Sequence, residues 1–251
     1  PDVDKRRPDI PISLYLDGDT AEISLDSSGA GLHLRGYRQA AGSAPLRETL
    51  AAALLLHTGY GPDSGALLDP MCGSGTFVIE AAMIQIDRPV GLHRSFAFEG
   101  WKHVDRSVAR TIRGELSDAA KSDAEPQVFA SDIDASVLSK ARANARRAGV
   151  EDAISFAQCD IGDARAVHGL ESIPTGRLIC NPPYGERMDE ENVLELYEHL
   201  GDTLKQQFNG WEAWVLSASM AAFKRVGLRY DENVQLRTGG LDARFRKYRI
   251  F

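Results

Sequence analysis

Apolar residues along this chain fall in short runs broken by turn-forming clusters, and the period of those runs switches between two and nearly four. Strand-like runs at 10–16 and 21–25 flank Asp17-Gly18-Asp19, a hairpin signal, and Asp26-Ser27-Ser28-Gly29 ends the pattern. From Pro45, the spacing of Leu46, Leu50, Ala53, Leu54 and His57 predicts a helix with proline in its first turn. An alternation follows. Strands are predicted at 66–69, 127–131, 153–158, 177–180 and 211–217, and helices at 76–86, 135–148 and 191–208, with a short helix after 217. Two late strands, 233–237 and 244–251, flank Thr238-Gly239-Gly240. Strands alternating with helices make a mainly parallel, seven-stranded sheet covered on both faces, here closed by an antiparallel hairpin. The expected fold class is α/β, with a small β-hairpin in front.

The residues that end these runs carry the candidate chemistry, because open α/β sheets place ligands at the carboxyl ends of their strands. Arg177-Leu178-Ile179-Cys180 stops at Asn181-Pro182-Pro183-Tyr184. Two prolines cannot continue a central strand. The Asn181 side chain and the Pro182 carbonyl are thereby left at the sheet edge as acceptors, with the flat ring of Tyr184 beside them. That set suits a planar substrate bearing an amino group.

The strand at 66–69 runs into Asp69-Pro70-Met71-Cys72-Gly73-Ser74-Gly75-Thr76. Gly73 and Gly75 permit close backbone approach and positive φ, and the helix that follows presents free N–H groups to an anionic end of a ligand. The pattern is neither a triphosphate loop nor a dinucleotide fingerprint, and a plain tight turn is the competing reading. The next strand ends in Asp132-Ile133-Asp134, where Asp132 can take both ribose hydroxyls and Asp134 can cap the following helix. The third ends in Asp160-Ile161, an acceptor for an adenine amino group with Ile133 and Ile161 to pack on the ring. For each aspartate alone, helix capping is the commoner explanation. Three such strand ends followed by Asn181-Pro182-Pro183-Tyr184 make coincidence a poor account.

Composition bounds the rest. The 251 residues are 43% hydrophobic and 26% charged, enough for one large globular domain or one domain with an appendage. Cys72, Cys159 and Cys180 form neither a disulfide framework nor a zinc pattern, no metal-ligand cluster is evident, and a reducing cytoplasm is the simplest setting. No apolar stretch reaches the length of a membrane span. The net charge of −7 argues against a bulk electrostatic grip on nucleic acid. Cations do cluster locally, at Lys5, Arg6, Arg7, Arg35 and Arg38 and again at Arg237, Arg244, Arg246, Lys247 and Arg249. They read equally as solvated faces or as a phosphate-contacting rim.

Taken together, these strand ends resemble the Rossmann-like class I S-adenosylmethionine-dependent methyltransferases, in the amino-methylating branch that carries Asn-Pro-Pro-Tyr. Leu32-His33-Leu34-Arg35-Gly36-Tyr37-Arg38, Ala44-Pro45-Leu46-Arg47-Glu48, Asp69 to Thr76 and Asn181 to Arg187 are similar to the THUMP-linked RNA guanine-N2 methyltransferases, as are Gly91-Leu92-His93-Arg94 and Phe98-Glu99-Gly100-Trp101. The likeness covers nearly the whole chain. It implies S-adenosyl-L-methionine as cofactor, 23S ribosomal RNA as partner and the guanine exocyclic nitrogen as acceptor, with N6-adenine methylation of DNA or RNA, or a non-catalytic RNA-binding module, as alternatives. Residues 1–38 would be the end of a THUMP-containing module and 39–251 the methyltransferase domain, continuing into a second one in the full-length protein. Asn181, Pro182 and Tyr184 would be catalytic. Asp69, Met71, Cys72, Gly73, Gly75, Thr76, Asp132, Ile133, Asp160, Ile161 and Asn181 would hold the cofactor, and Pro45 and Glu48 would touch its amino-acid end.

Gly75 and Asp132 are much farther apart than the roughly 20 residues of a simple nucleotide-binding unit, so 87–126 reads as an insertion. Its His93, Arg94, Phe96, Phe98 and Trp101 are either a packing patch or a wall of the substrate cleft with Arg94 near phosphate. His33, His57, His103, His168 and His199 show no partner at catalytic spacing and read as surface or packing residues.

Overall fold

The computed structural model describes residues 4, 8–38, 46–119, 126–184 and 189–251. Strands β1 (Ile12–Asp17) and β2 (Thr20–Leu25) pair antiparallel as the two-residue turn predicts. Their register sets Ile12 against Leu25, Leu14 against Ile23 and Leu16 against Ala21, so one face of the hairpin is wholly apolar. Both strands are exposed along their length.

The main body alternates as the periodicity requires: α1 (Glu48–His57), β3 (Leu67–Asp69), α2 (Thr76–Gln85), α3 (Arg106–Asp118), β4 (Val128–Asp132), α4 (Ala135–Ala148), β5 (Ile154–Gln158), α5 (Ala164–Val167), β6 (Arg177–Cys180), α6 (Glu190–Gln207), β7 (Glu212–Ser217), α7 (Met220–Arg225), β8 (Glu232–Thr238) and β9 (Leu241–Arg249). Seven strands form one sheet in the order β5-β4-β3-β6-β7-β9-β8. β3 to β7 run parallel, and β9 inserts antiparallel between β7 and β8. The chain leaves β3 toward β4 and returns on its other side at β6. The β3/β6 boundary is therefore the topological switch point, where a crevice opens above the strand ends.

Period-two alternation divides β3, β6 and β7 between two cores. Leu67, Ile179 and Trp214 join the cluster with α1, α2 and α4. Their neighbours Leu68, Cys180 and Val215 join the cluster with α5, α6 and α7. Burial on both faces explains why these strands read as nearly continuous apolar runs. On α6, Gly201 is forced by packing: a Cβ there would lie 1.9 Å from the Val226 carbonyl oxygen.

Between α2 and β4 the chain builds a clasp rather than a cleft wall. Arg94, 9% exposed, donates to the carbonyls of Ser28 (3.1 Å), Ala30 (2.5 Å) and Gly31 (3.1 Å). The Ala97 and Phe98 N–H groups donate to Ser28 and Ser27. Phe96 and Phe98 stack at 5.7 Å, and Arg113 on α3 pairs with Glu99. Of the two readings of this insertion, packing is the one realised. With its guanidinium committed to backbone carbonyls, Arg94 is not a phosphate contact. A cavity of about 270 Å³ remains between Phe96, Phe98, Val108 and Ile112.

Candidate active site

The glycine turn is held open by its own backbone geometry. Gly75, the N-cap of α2, has φ 88° and Gly73 φ 53°, a region that disfavours side chains. A Cβ on Gly75 would meet Ala141 Cβ at 3.1 Å, so this glycine also sets the approach of α2 to α4. A Cβ on Gly73 would meet nothing within 4 Å, so the space beside this turn at the helix start is open. The Cys72 N–H donates to the Ser131 carbonyl (2.9 Å) and the Asn144 amide to the Ser74 carbonyl (2.9 Å), tying the turn to β4 and α4. Burial pushes the Cys72 thiol up, so it stays neutral and its contribution is main chain.

Asp132 sits at the end of β4, as expected, but already has work there. Its Oδ2 accepts the Gly73 N–H (2.9 Å) and its Oδ1 the Asp134 N–H (3.0 Å). One carboxylate thus fixes the loops after two adjacent strands. Asp134 accepts the Ser136 N–H (2.7 Å), the helix cap the sequence allowed for. Ile133 stands out at 69% exposure, whereas Ile161 is 3% exposed within the core beside Ala164 and Leu170. Only Ile133 therefore offers a side chain to a ring at this edge; Ile161 offers backbone.

Asp69 is buried at the switch point, its Oδ1 accepting the Met71 N–H (3.1 Å). Burial pushes its pKa well above the usual range and the Asp132 charge adds to this, against the opposing Met71 bond. A raised native value makes the ionised group a cost to folding. The cost is absent below the ordinary aspartate pKa of about 4, builds as pH rises from there, and is complete above the native value. Asp69→Asn keeps an acceptor for Met71 and removes that cost. It is expected to melt above the unaltered chain at neutral pH, with the gap closing as pH falls toward about 4. Melting curves across that range check this, and a gap independent of pH would refute it.

Beneath the turn, Arg38 joins three elements. It donates to Thr76 Oγ1 (2.7 Å) and lies 3.1 Å from Glu48 Oε1 as an ion pair. Glu48 and Thr76 are both buried. Glu48 thus braces the start of α2 through Arg38. Met71 packs against the core on the α5–α7 side. Pro45 lies outside the described residues. Arg35 and Tyr37 both donate to Glu80 on α2, while Arg147 donates to the Tyr37 carbonyl. Residues 35–38 are thereby bound to the α/β body.

At β6, Cys180 is buried and Asn181 follows it at the sheet edge. The Asn181 side-chain oxygen is buried and accepts no hydrogen bond among the described residues. A buried acceptor left unmatched costs free energy unless a ligand meets it. Pro182 is buried, and Pro183 and Tyr184 are half-buried; residues 185–188 lie outside the described set. Asp69, Gly73, Asp132, Asp160 and Asn181 all stand on one edge of the sheet, after β3, β4, β5 and β6.

Asp160 brings in His199, to which the sequence assigned no role. Its Oδ1 accepts the Gly162 N–H (2.8 Å) and lies 2.6 Å from His199 Nε2 on α6. Partial burial pushes its pKa up, but the His199 and Gly162 hydrogen bonds prevail and hold it below the usual range. His199 is a surface residue, as its lack of a partner at catalytic spacing suggested, and the acid it meets lies 39 residues away. His57 likewise pairs with Glu232 (2.7 Å). The tail cations divide. Arg246 stacks on Phe223 and Tyr230, and Lys247 pairs with Glu212, while Arg237 is 76% exposed in its side chain.

Among the described residues no group of three His, Cys, Asp or Glu could hold a metal ion, and no helix is long and apolar enough to cross a membrane. A profile of RMKL-like methyltransferase domains matches residues 35–247. The chain is similar to SMU.472, assigned as a methyltransferase and solved in complex with SAH (34% identity, 96% of this chain and 62% of that one, TM-score 0.83). It is also similar to a predicted N6-adenine-specific DNA methylase from Listeria monocytogenes (35% identity, 96% and 60%, TM-score 0.82). TrmN from Thermus thermophilus shares the fold at 22% identity, with 99% and 62% covered and a TM-score of 0.63. The chain thus spans about three fifths of these proteins.

Proposed function

Since the chain belongs to the RMKL-like methyltransferase domain family, we propose that it transfers a methyl group from S-adenosyl-L-methionine to the exocyclic N2 of a guanine in 23S ribosomal RNA. The observation that carries the chemistry is the buried Asn181 Oδ1 at the carboxyl end of β6, unmatched among the described residues. An exocyclic base amine is a poor nucleophile because its lone pair is delocalised into the ring. Asn181 Oδ1 and the Pro182 carbonyl accept its two hydrogens, which turns the lone pair out of the ring plane and stabilises the positive charge that develops on nitrogen. Tyr184 supplies a ring against which a base flipped from its stack can lie. The leaving proton of the product ammonium goes to water.

The cofactor fits the residues present. When bound, S-adenosyl-L-methionine supplies an electrophilic methyl group. The open space at Gly73 and the N-terminus of α2 would receive its amino-acid end, with Asp69, Met71, Cys72, Gly75 and Thr76 forming the turn. Asp132 meets the ribose, and Ile133, Asp160 and the main chain of Ile161 meet the adenine. No metal takes part in this scheme. The choice of guanine over adenine rests on the resemblance of residues 32–38, 44–48 and 181–187, and so do a THUMP-containing module upstream and a second methyltransferase domain in the full-length protein. Adenine N6 is the second reading, favoured by the 35% identity to the Listeria protein.

Tritium transfer from labelled S-adenosyl-L-methionine to unmodified 23S ribosomal RNA, followed by nucleoside analysis, tests the proposal. N2-methylguanosine is the expected product. Label found only in N6-methyladenine, or only with a DNA substrate, would overturn it.

A further inference from the structure

Asp160 is held from a direction the reaction scheme does not use. Its Oδ1 receives two contacts at once, from the Gly162 N–H (2.8 Å) and from His199 Nε2 (2.6 Å). An ionised carboxylate only accepts, so the Nε2 of His199 must carry a proton. Two donors on one oxygen stop the carboxylate from rotating and fix the direction of the second. Gly162 makes this meeting feasible: a Cβ there would lie 3.1 Å from Asp160 Oδ1 and 3.3 Å from His199 Cε1. The same turn is fastened to α6 again, where the Gln207 amide donates to the Gly162 carbonyl (2.7 Å). The histidine is therefore aimed at the strand-end acid by a sequence-distant helix. The pair is half-exposed, with side-chain accessibilities of 48% and 41%, and exposed pairs add little to fold stability.

We infer that His199 is the positioning residue for cofactor selection: it occupies one oxygen of Asp160 so that the other is presented to the 6-amino group of the cofactor's adenine. The inference rests on the proposed methyl-transfer function and names a determinant of ligand choice within it. His199 touches neither the methyl donor nor the substrate base. It acts through Asp160.

Calorimetric titration of three proteins tests this: the unaltered chain, His199→Ala and His199→Gln. Each is titrated with SAH and with the SAH analogue whose purine lacks the 6-amino group. His199→Ala is expected to weaken SAH binding about tenfold and the analogue less than about twofold, as loss of one aligned charged hydrogen bond implies. His199→Gln places an amide donor near the lost nitrogen and is expected to recover SAH binding to within about threefold. Equal weakening of both ligands, or none for SAH, overturns the positioning role while leaving the methyltransferase reading intact. Failure of the unaltered chain to bind SAH overturns that reading and this inference together. Melting curves confirm that each variant is folded, and His199→Gln serves as the folded comparison if the alanine variant is not.

Discussion

Replacing Asn181 by alanine is expected to lower kcat for methyl transfer by about 10²- to 10³-fold, with SAH affinity changed by less than about threefold. The asymmetry follows from where the side chain sits. Asn181 Oδ1 is buried at the end of β6 with no hydrogen-bond partner among the described residues, so no described contact depends on it. On the proposed mechanism, its acceptor would be used when an amine arrives, and most when that nitrogen becomes positive. An interaction that strengthens toward the transition state appears in kcat rather than in binding. Single-turnover kinetics with labelled donor, alongside SAH calorimetry, separate the two. Unchanged transfer by Asn181→Ala would sink the mechanism. A parallel loss in kcat and in SAH affinity would mean that the residue chiefly shapes the cofactor site. Asn181→Asp keeps an oxygen and loses the amide dipole, and is expected to fall between the two.

Asp132→Ala carries the second large effect, on cofactor binding. The carboxylate accepts from Gly73 and from Asp134 at 2.9 and 3.0 Å. It therefore fixes the glycine turn against the neighbouring strand end before any ribose is present. On the proposed cofactor placement, removing it would delete the ribose contact and loosen the turn that would hold the other end of the same ligand. Two charge-assisted hydrogen bonds lost together predict SAH affinity lower by about 10²-fold. Asp132→Asn retains an acceptor for Gly73 and is expected to lose less. Asp134→Ala is the control: it removes a helix cap (Ser136 N–H, 2.7 Å) and is expected to lower the melting temperature with SAH affinity unchanged. Equal SAH affinities for Asp132→Ala and the unaltered chain would remove Asp132 from the site.

Much of this arrangement was legible in the chain because period and punctuation agree. The strands from 66–69 to 211–217 and the helices at 76–86, 135–148 and 191–208 lie within a residue or two of their observed bounds, since long amphipathic or fully apolar segments leave little choice. The four-residue helix α5 was not read, being too short to show a period. Helix α3 lies in the segment read only as an insertion, and its apolar Val108, Ile112 and Leu116 are still about half exposed. The strand order, with β9 between β7 and β8, depends on pairing that local patterns do not encode.

The site divides in the same way. Glycines, strand-end acids and the Asn-Pro-Pro turn are visible because their backbone demands are local. The bond from Gly73 to Asp132 spans 59 residues and the pair of Asp160 with His199 spans 39. Neither separation carries a sequence signal. Arg94 read either as part of a packing patch or as a phosphate contact, because a cation beside aromatics is ambiguous until its partners are known. Three backbone carbonyls settle what it does.

The N-terminal hairpin has a bearing on how binding is measured. Its register gathers Ile12, Leu14, Leu16, Ala21, Ile23 and Leu25 on one exposed plate beside open strand edges, a surface that invites like molecules to adhere. Such adhesion tightens in kosmotropic salt, whereas phosphate contacts loosen as ionic strength rises. For this chain, the response of an apparent RNA complex to a salt titration therefore distinguishes recognition from colloidal clustering. Light scattering recorded alongside, without RNA, supplies the baseline.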